Sequence, residues 1–337
     1  MPPAITALQT LQWGKETTRG TAVAATSKIA VEGIQFAADD EMARPRLAKG
    51  LLTSVPGDET VTRRGTTFSI PETPLVYDQH QHFLLGCVKG GVTSSPGTGA
   101  PETWTFLRSL TADPAPEART LERRLSDGTN FIDNEWSYAL FSQLRWIYAI
   151  DQPLRFAAEG FARRIQSSTL TAGQAMPTIA IPASPLAKIW IDATWAALGT
   201  TQITAQVLSA DITFRSGLMP KWTLDGRTDL DWTTHILNPE AIGIDATIRM
   251  LIKADSGQFA TEKTAAAAGT LRAVRLEILG ASSNEFELDM LLKHQVPEIQ
   301  TIGSEDGQDI VEMKLVNSTD GTEMFSAKLV NQVSTTT

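Results

Sequence analysis

The sequence predicts a mainly β protein: two tandem β-sandwich domains, each with a flanking short α-helix and a long charged loop. Three observations carry this expectation. Apolar and polar residues alternate with period two over many short runs, as half-buried strands require. Asp-Gly pairs suited to tight turns stand between runs, at Asp127-Gly128, Asp306-Gly307 and Asp320-Gly321. The order of strand, long charged connection, strand, helix and several short strands occurs twice along the 337 residues.

Taken in order, residues 1–28 read as an N-terminal arm. Ala4 to Leu11 suits a short helix or strand, and Gly14 to Ser27 is rich in Thr, Gly and Ala without an amphipathic period. Such an arm has no core of its own and is expected to become ordered against a neighbour. The first domain spans 29–166. Ile29 to Phe36 alternates as a strand, and residues 37–65 follow as a long segment of mixed charge broken by Pro45, Gly50, Pro56 and Gly57. Connections of this length are more often functional or interface-forming than idle, and mixed signs favour docking on a partner surface. Thr66 to Leu75 is a strand, and Asp78 is placed to cap a helix from Gln79 to Lys89 that Gly90-Gly91 stops. Phe83, Leu84, Cys87 and Val88 give that helix one apolar face. Trp104 to Leu110, Thr120 to Leu125, Phe131 to Ile132, Glu135 to Ala139, Leu144 to Ala149 and Leu154 to Ile165 complete the half as strands.

Residues 167–185, with Pro177, Pro182 and Pro185, read as a linker. The second domain, 186–337, opens with a strand at Gln206 to Phe214. A second long segment, 215–240, carries Trp222, Asp225, Arg227, Asp229, Asp231 and Trp232. Ile242 to Ile252 is a strand, and Ser256 precedes a helix running through Lys263 to Ala268. Leu271 to Leu279, Phe286 to Leu292, Val296 to Ile302, Ile310 to Leu315 and Met324 to Asn331 are the remaining strands.

Charge and cysteine usage narrow the function classes. The net charge is −9. It divides unevenly, with −1 over residues 1–168 and −8 over 169–337. Gripping nucleic acid requires Lys and Arg to displace counterions from phosphate, so an acidic chain argues against it. A surface that DNA passes without sticking remains compatible with like charge. Cys87 is the only cysteine and sits in an apolar run, which suits a small buried hydrophobe rather than a nucleophile. The first residues lack the basic start and apolar core of a signal peptide, and no apolar run reaches membrane-spanning length; folding in a cytosol without membrane insertion is expected.

Signatures of catalysis are missing from the sequence: no G-x-G-x-x-G, P-loop, G-x-S-x-G or H-E-x-x-H occurs. His80 and His82, two apart on a helix, diverge and do not share a metal. Asp225, Asp229 and Asp231 superficially resemble a calcium loop but lack its glycine and closing glutamate. No catalytic residue, cofactor or metal is therefore expected. In Glu285 to Met290 the alternation is strict, with Glu285, Glu287 and Asp289 on one face and Phe286, Leu288 and Met290 on the other. Three like charges on a strand repel unless solvated, so that face is expected to meet solvent or a channel.

The opening G-x-E-x-x-x-G-T-A (Gly14, Glu16, Gly20, Thr21, Ala22), the strand and charged loop at 29–65, the helix at 79–89, the T-L-E-R and D-G-T run from Thr120 to Thr129 and the closing Leu329-Val330-Asn331 share an order. In that order the chain resembles the major tail tube protein of long-tailed, non-contractile bacteriophages, over essentially its whole length. The resemblance implies tail-tube-type β-sandwich domains whose sheets join edge to edge into rings. It implies a virion protein, made in the host cytoplasm, that polymerises as stacked rings into the conduit for genome ejection. A duplicated chain would form trimeric rings, with hexameric rings as the alternative. Its partners would be itself and tail-tip, tape-measure and tail-terminator proteins, with DNA passing through an acidic lumen. Inter-subunit or inter-ring contacts then fall to Gly14, Glu16, Arg19, Gly20, Asp39, Asp40, Arg44, Arg46, Asp58, Arg63, Arg64, Trp222, Asp225, Arg227 and Trp232, and the lumen face to Glu285, Glu287 and Asp289. The competing reading is a non-enzymatic β-sandwich binding module that stacks Trp222 and Trp232 on a glycan or host surface.

Overall fold

The computed structural model describes residues 9–43, 60–96, 101–204, 206–252, 257–305, 308–321 and 323–333. In chain order the first half contains β1 (Thr10–Lys15), β2 (Ser27–Lys28), β3 (Gln35–Ala38), β4 (Glu41–Ala43), β5 (Thr60–Arg63), β6 (Thr66–Pro74), α1 (Tyr77–Cys87), β7 (Ser95–Pro96), β8 (Glu102–Leu107), β9 (Arg119–Ser126), β10 (Phe131–Ala149), β11 (Arg155–Ala162) and β12 (Gln166–Ser167). The second half contains β13 (Ala187–Asp192), β14 (Gln202–Ile203), β15 (Val207–Lys221), β16 (Thr234–Ile252), α2 (Gly257–Ala268), β17 (Leu271–Leu279), β18 (Glu285–His294), β19 (Gln300–Glu305), β20 (Gln308–Asn317) and β21 (Phe325–Asn331). The protein is mainly β, and the strand ladders among the described residues are antiparallel.

Two sheet layers face each other. One runs β3-β6-β11-β10-β15-β16-β20-β19. The other runs β14-β13-β17-β18-β21-β8-β7. The end of β18, Leu292 to His294, pairs with β20 and joins the layers. Between them Trp146 of β10 and Phe214 of β15 meet Phe286 of β18 and Phe325 of β21 at ring-centroid distances of 4.6 to 6.3 Å. The ladders β10·β15 and β8·β21 each pair residues of the first half with residues of the second. One contiguous apolar core accordingly runs from Leu11 to Leu329.

Several expectations need correction. The arm is not bare of structure: β1 pairs with β9 over six residues, and Trp13 is fully buried. The strand expected at 29–36 shifts to Gln35–Ala38, because side chains take the backbone groups before it. Gln79 bonds both the N–H and the C=O of Ala30, and Thr73 Oγ1 accepts from Glu32 N–H. The helix starts at Tyr77, behind a Val76 N-cap, and Asp78 does not cap it. Asp78 instead accepts from the backbone N–H of Gln332.

Nor does α1 flank a sandwich: all eleven of its residues are buried. Several of its polar groups find partners inside, although among the described residues Nδ1 of His80 and of His82 does not. Trp146 Nε1 donates to His80 Nε2 at 2.9 Å, and Asn331 Nδ2 donates to Gln81 Oε1 and to the Tyr77 carbonyl. The strands expected at 131–132, 135–139 and 144–149 are one 19-residue strand. Its bulge between Trp136 and Ala139, with Tyr138 at φ +56, turns it from β9 toward β15. The long segment 215–240 shortens to 222–233, because β15 and β16 continue through a bulge at Gly217 (φ +74). Strands β13 and β14 add to the expected strands, and β19 begins later than the expected Val296.

The segment 167–185 is poor in strand, yet it is tied down rather than strung free. Lys28 N–H donates to Ala175 C=O, Tyr77 N–H to Ala180 C=O and Leu154 N–H to Pro182 C=O. Arg44, Arg46, Asp58, Ser256 and the Asp306-Gly307 turn lie outside the described residues. No helix among the described residues is long and apolar enough to cross a membrane, which says nothing of β-barrels.

Candidate functional site

The opening motif is a lock made within one chain. Gly14 sits in β1 where a Cβ would collide with the carbonyl oxygen of Ala24. Two residues on, the buried Glu16 carboxylate accepts from Gly20 N–H (2.6 Å), Tyr138 N–H (2.6 Å) and Thr120 Oγ1 (3.0 Å). Burial raises its pKa, and the bonds from Tyr138 and Gly20 oppose the shift. Gly20 adopts φ +78 and presses against the Arg163 guanidinium, leaving no room for a side chain. Arg163 in turn donates to the carbonyls of Gly20, Trp232 and Thr233. Trp232 is buried against Tyr138 and Phe161 at centroid distances of 4.1 and 5.2 Å. Gly14, Glu16, Gly20 and Trp232 are therefore engaged inside the chain, while Arg19 is exposed and donates to the Pro116 carbonyl.

The T-L-E-R run lies alongside. Glu122 is buried and accepts from Gln12 Nε2, Ala25 N–H, Thr171 N–H and Thr171 Oγ1. It binds the arm, β9 and the 167–185 segment into one node.

The two charged segments, far apart in sequence, meet in space. Strands β4 and β5 form a two-stranded hairpin outside the main sheet network, with Glu41, Met42 and Ala43 all exposed. Asp39 N–H donates to Gly65 C=O at its base, and Asp40 is exposed. Arg64 N–H donates to Leu230 C=O, and Trp222 Nε1 donates to Arg64 C=O at 3.2 Å. The Arg63 guanidinium lies 4.7 Å from the Trp222 ring centre. Within the 222–233 loop Arg227 makes a two-pronged ion pair with Asp229, and Asp225 accepts from Arg227 N–H and Thr233 Oγ1. Asp231 is buried and accepts from Arg164 N–H; burial raises its pKa. Asp225 and Asp229 thus bond within the loop, and Asp231 ties the loop to Arg164. Among the described residues no three His, Cys, Asp or Glu side chains gather where they could hold a metal ion. Trp232 offers no face to a sugar, and one face of Trp222 is taken by Arg63.

On β18 the alternation holds, with Phe286, Leu288 and Met290 fully buried. The opposite face is not bathed in water as expected. Arg275 of β17 forms a two-pronged pair with Asp289 (2.7 and 2.8 Å) and approaches Glu287 at 3.3 Å, while Lys328 of β21 bonds Glu285 at 2.6 Å. Cross-strand cations, rather than solvent, relieve the repulsion, and Glu287 and Asp289 are largely covered. Burial, then the neighbouring Asp289, pushes the Glu287 pKa up to about 7.

Reasoning from sequence missed Tyr138, Arg163 and His235, whose Nδ1 lies 3.1 Å from the Tyr138 hydroxyl. No local pattern marks them, because each acts on residues roughly a hundred positions away. No protein-family model matches this sequence, and no characterised protein matches it either.

Proposed function

We propose that the chain is a structural subunit that self-assembles as stacked rings into the tail tube of a long-tailed, non-contractile bacteriophage, made in the host cytoplasm and carried in the virion. The observation that carries this reading is that the described residues of both long charged segments meet at a two-stranded sheet separate from the main sheet network. The exposed β4–β5 hairpin is braced at its base by Trp222, Leu230 and Asp231. A two-stranded sheet outside the main network, with β4 wholly exposed, offers its surface to another subunit. The tandem tube-type arrangement draws support from the recurring element order β3, β6, α1, β8 to β11 and β15, β16, α2, β17, β18, β20, β21. The two units are fused through the β10·β15 and β8·β21 ladders. Trimeric rings follow from two units per chain, with hexameric rings as the alternative. Tail-tip, tape-measure and tail-terminator proteins would be its partners, and DNA would pass through the lumen.

Negative-stain electron microscopy of the purified protein, alone and with a tail-tip initiator, tests the proposal. Hollow tubes with a regular axial repeat are expected. A compact monomer under every condition would sink it.

A further inference from the structure

The two helices are attached in opposite ways. Every residue of α1 is buried. In α2 the described side chains that are buried are Glu262, Ala265 and Ala266, and Phe259 is half-buried against the core. Ala260, Thr261, Lys263, Thr264, Ala267 and Ala268 are exposed. Two methyl groups and one partly covered ring are a thin apolar anchor for a helix of 12 residues, a length that is marginal by itself in water.

The most buried of those side chains is the charged one. Glu262 is 1% exposed. Arg272 of β17 grips its carboxylate with two prongs, Nη2 donating to Oε1 and Nε to Oε2 at 3.1 Å. Nε2 of His294, at the end of β18, lies 3.3 Å from Oε2. Arg272 and His294 are themselves more than nine-tenths buried. A two-pronged carboxylate–guanidinium pair is a strong contact, and removing one partner leaves the other as an uncompensated buried charge. Charge pins α2, whereas bulk packs α1.

The link that follows α2 suits a pivot. Gly269 takes φ +62, and the carbonyls of Ala266 and Ala265 accept from the N–H groups of Gly269 and Thr270. A Cβ at Gly269 would meet nothing within 4 Å, and β17 begins two residues later at Leu271. A glycine with open space around it absorbs a change of backbone angle at little cost. Glu262 meets the sheets at a corner. There β18 pairs with β17 at Lys293 and Leu271, and passes to β20 through Leu292 to His294, which joins the two layers. We infer that α2 is a hinged strap over this corner. It lifts about Gly269 while both sheets stay folded, and the Glu262–Arg272 pair holds it shut. Lifting uncovers Arg272 and His294 at the joint between the layers. The inference stands apart from the tail-tube reading and does not rest on it.

Hydrogen exchange read by mass spectrometry on the full chain tests it. In the wild-type protein at low denaturant, amides of 259–268 are expected to exchange through an opening that leaves β17 and β18 protected. Glu262→Gln keeps the shape of the side chain and removes its charge. Exchange over 259–268 should then accelerate by roughly a hundredfold or more, with β15, β16 and β21 unchanged. Arg272→Met should give the same acceleration from the other side of the pair. Unchanged protection of α2 in Glu262→Gln would mean that the alanines and Phe259 hold the helix, and would overturn the inference. Wild-type amides of α2 and β17 that exchange through one shared opening would overturn it as well, and that measurement needs no variant to fold.

Discussion

Glu16 concentrates the physics of the opening motif in one side chain. Donors from nearby Gly20 and from the distant Thr120 and Tyr138 end on its carboxylate. Glu16→Ala strands two backbone N–H groups and a hydroxyl in a buried site, and urea unfolding should show a loss of about 2–4 kcal/mol. Glu287 makes the opposite kind of prediction. Its folded pKa of about 7 lies above the ordinary value of 4.5. The folded state therefore holds the proton more tightly than the unfolded chain does. The contribution to stability is full below pH 4.5 and is lost as pH rises to about 7. Glu287→Gln should flatten that slope and exceed wild type at pH 8 by about 1–2 kcal/mol, a figure reduced for partial solvent screening. A Gln variant less stable than wild type at pH 8 would mean that the Arg275 contact outweighs the burial.

At the scale of elements, α1 is a helix driven through the core: Gln79, Gln81 and His80 Nε2 bond to neighbours, while Nδ1 of His80 and of His82 is buried without a hydrogen-bond partner among the described residues. Burial lowers the His80 pKa to about 3 and sets that of His82 well below its ordinary value. Here the unfolded chain binds the extra protons. Stability should therefore fall as pH drops below about 6.5, by up to about 1.4 kcal/mol per pH unit for each histidine. Melting temperatures from pH 7 to pH 4 measure the slope, and a His82→Gln variant that melts with an unchanged slope would contradict it. The hairpin β4–β5 is the second element with a testable attachment. Trp222→Ala removes the bond to the Arg64 carbonyl and the ring beneath Arg63. Amide exchange at Arg63 and Arg64 should accelerate while exchange in β10 and β15 stays unchanged; equal protection in the variant would show that Leu230 and Asp231 alone hold the hairpin.

For the whole molecule, the governing fact is that ladders and core cross the midpoint of the chain. Cutting between residues 185 and 186 would leave β15 without β10 and β21 without β8, each a sheet neighbour buried on folding. Fragments 1–185 and 186–337 expressed separately should aggregate or melt without cooperativity, and should recover a cooperative transition when co-expressed. Two fragments that each unfold cooperatively alone would show self-sufficient domains.

The sequence alone determined the β class, the strand alternation at Glu285 to Met290, the strand-poor segment at 167–185 and the glycine spacing around Glu16. Each is a local signal: a period of two, a proline-rich composition, a glycine spacing. Only the tertiary structure decided that Glu16 faces Tyr138, that α1 lies inside the core, that Trp222 braces Arg64 and that Arg275 neutralises the Glu287 and Asp289 face. Those outcomes depend on partners brought together across tens to hundreds of residues, and composition or spacing within a window carries no term for them.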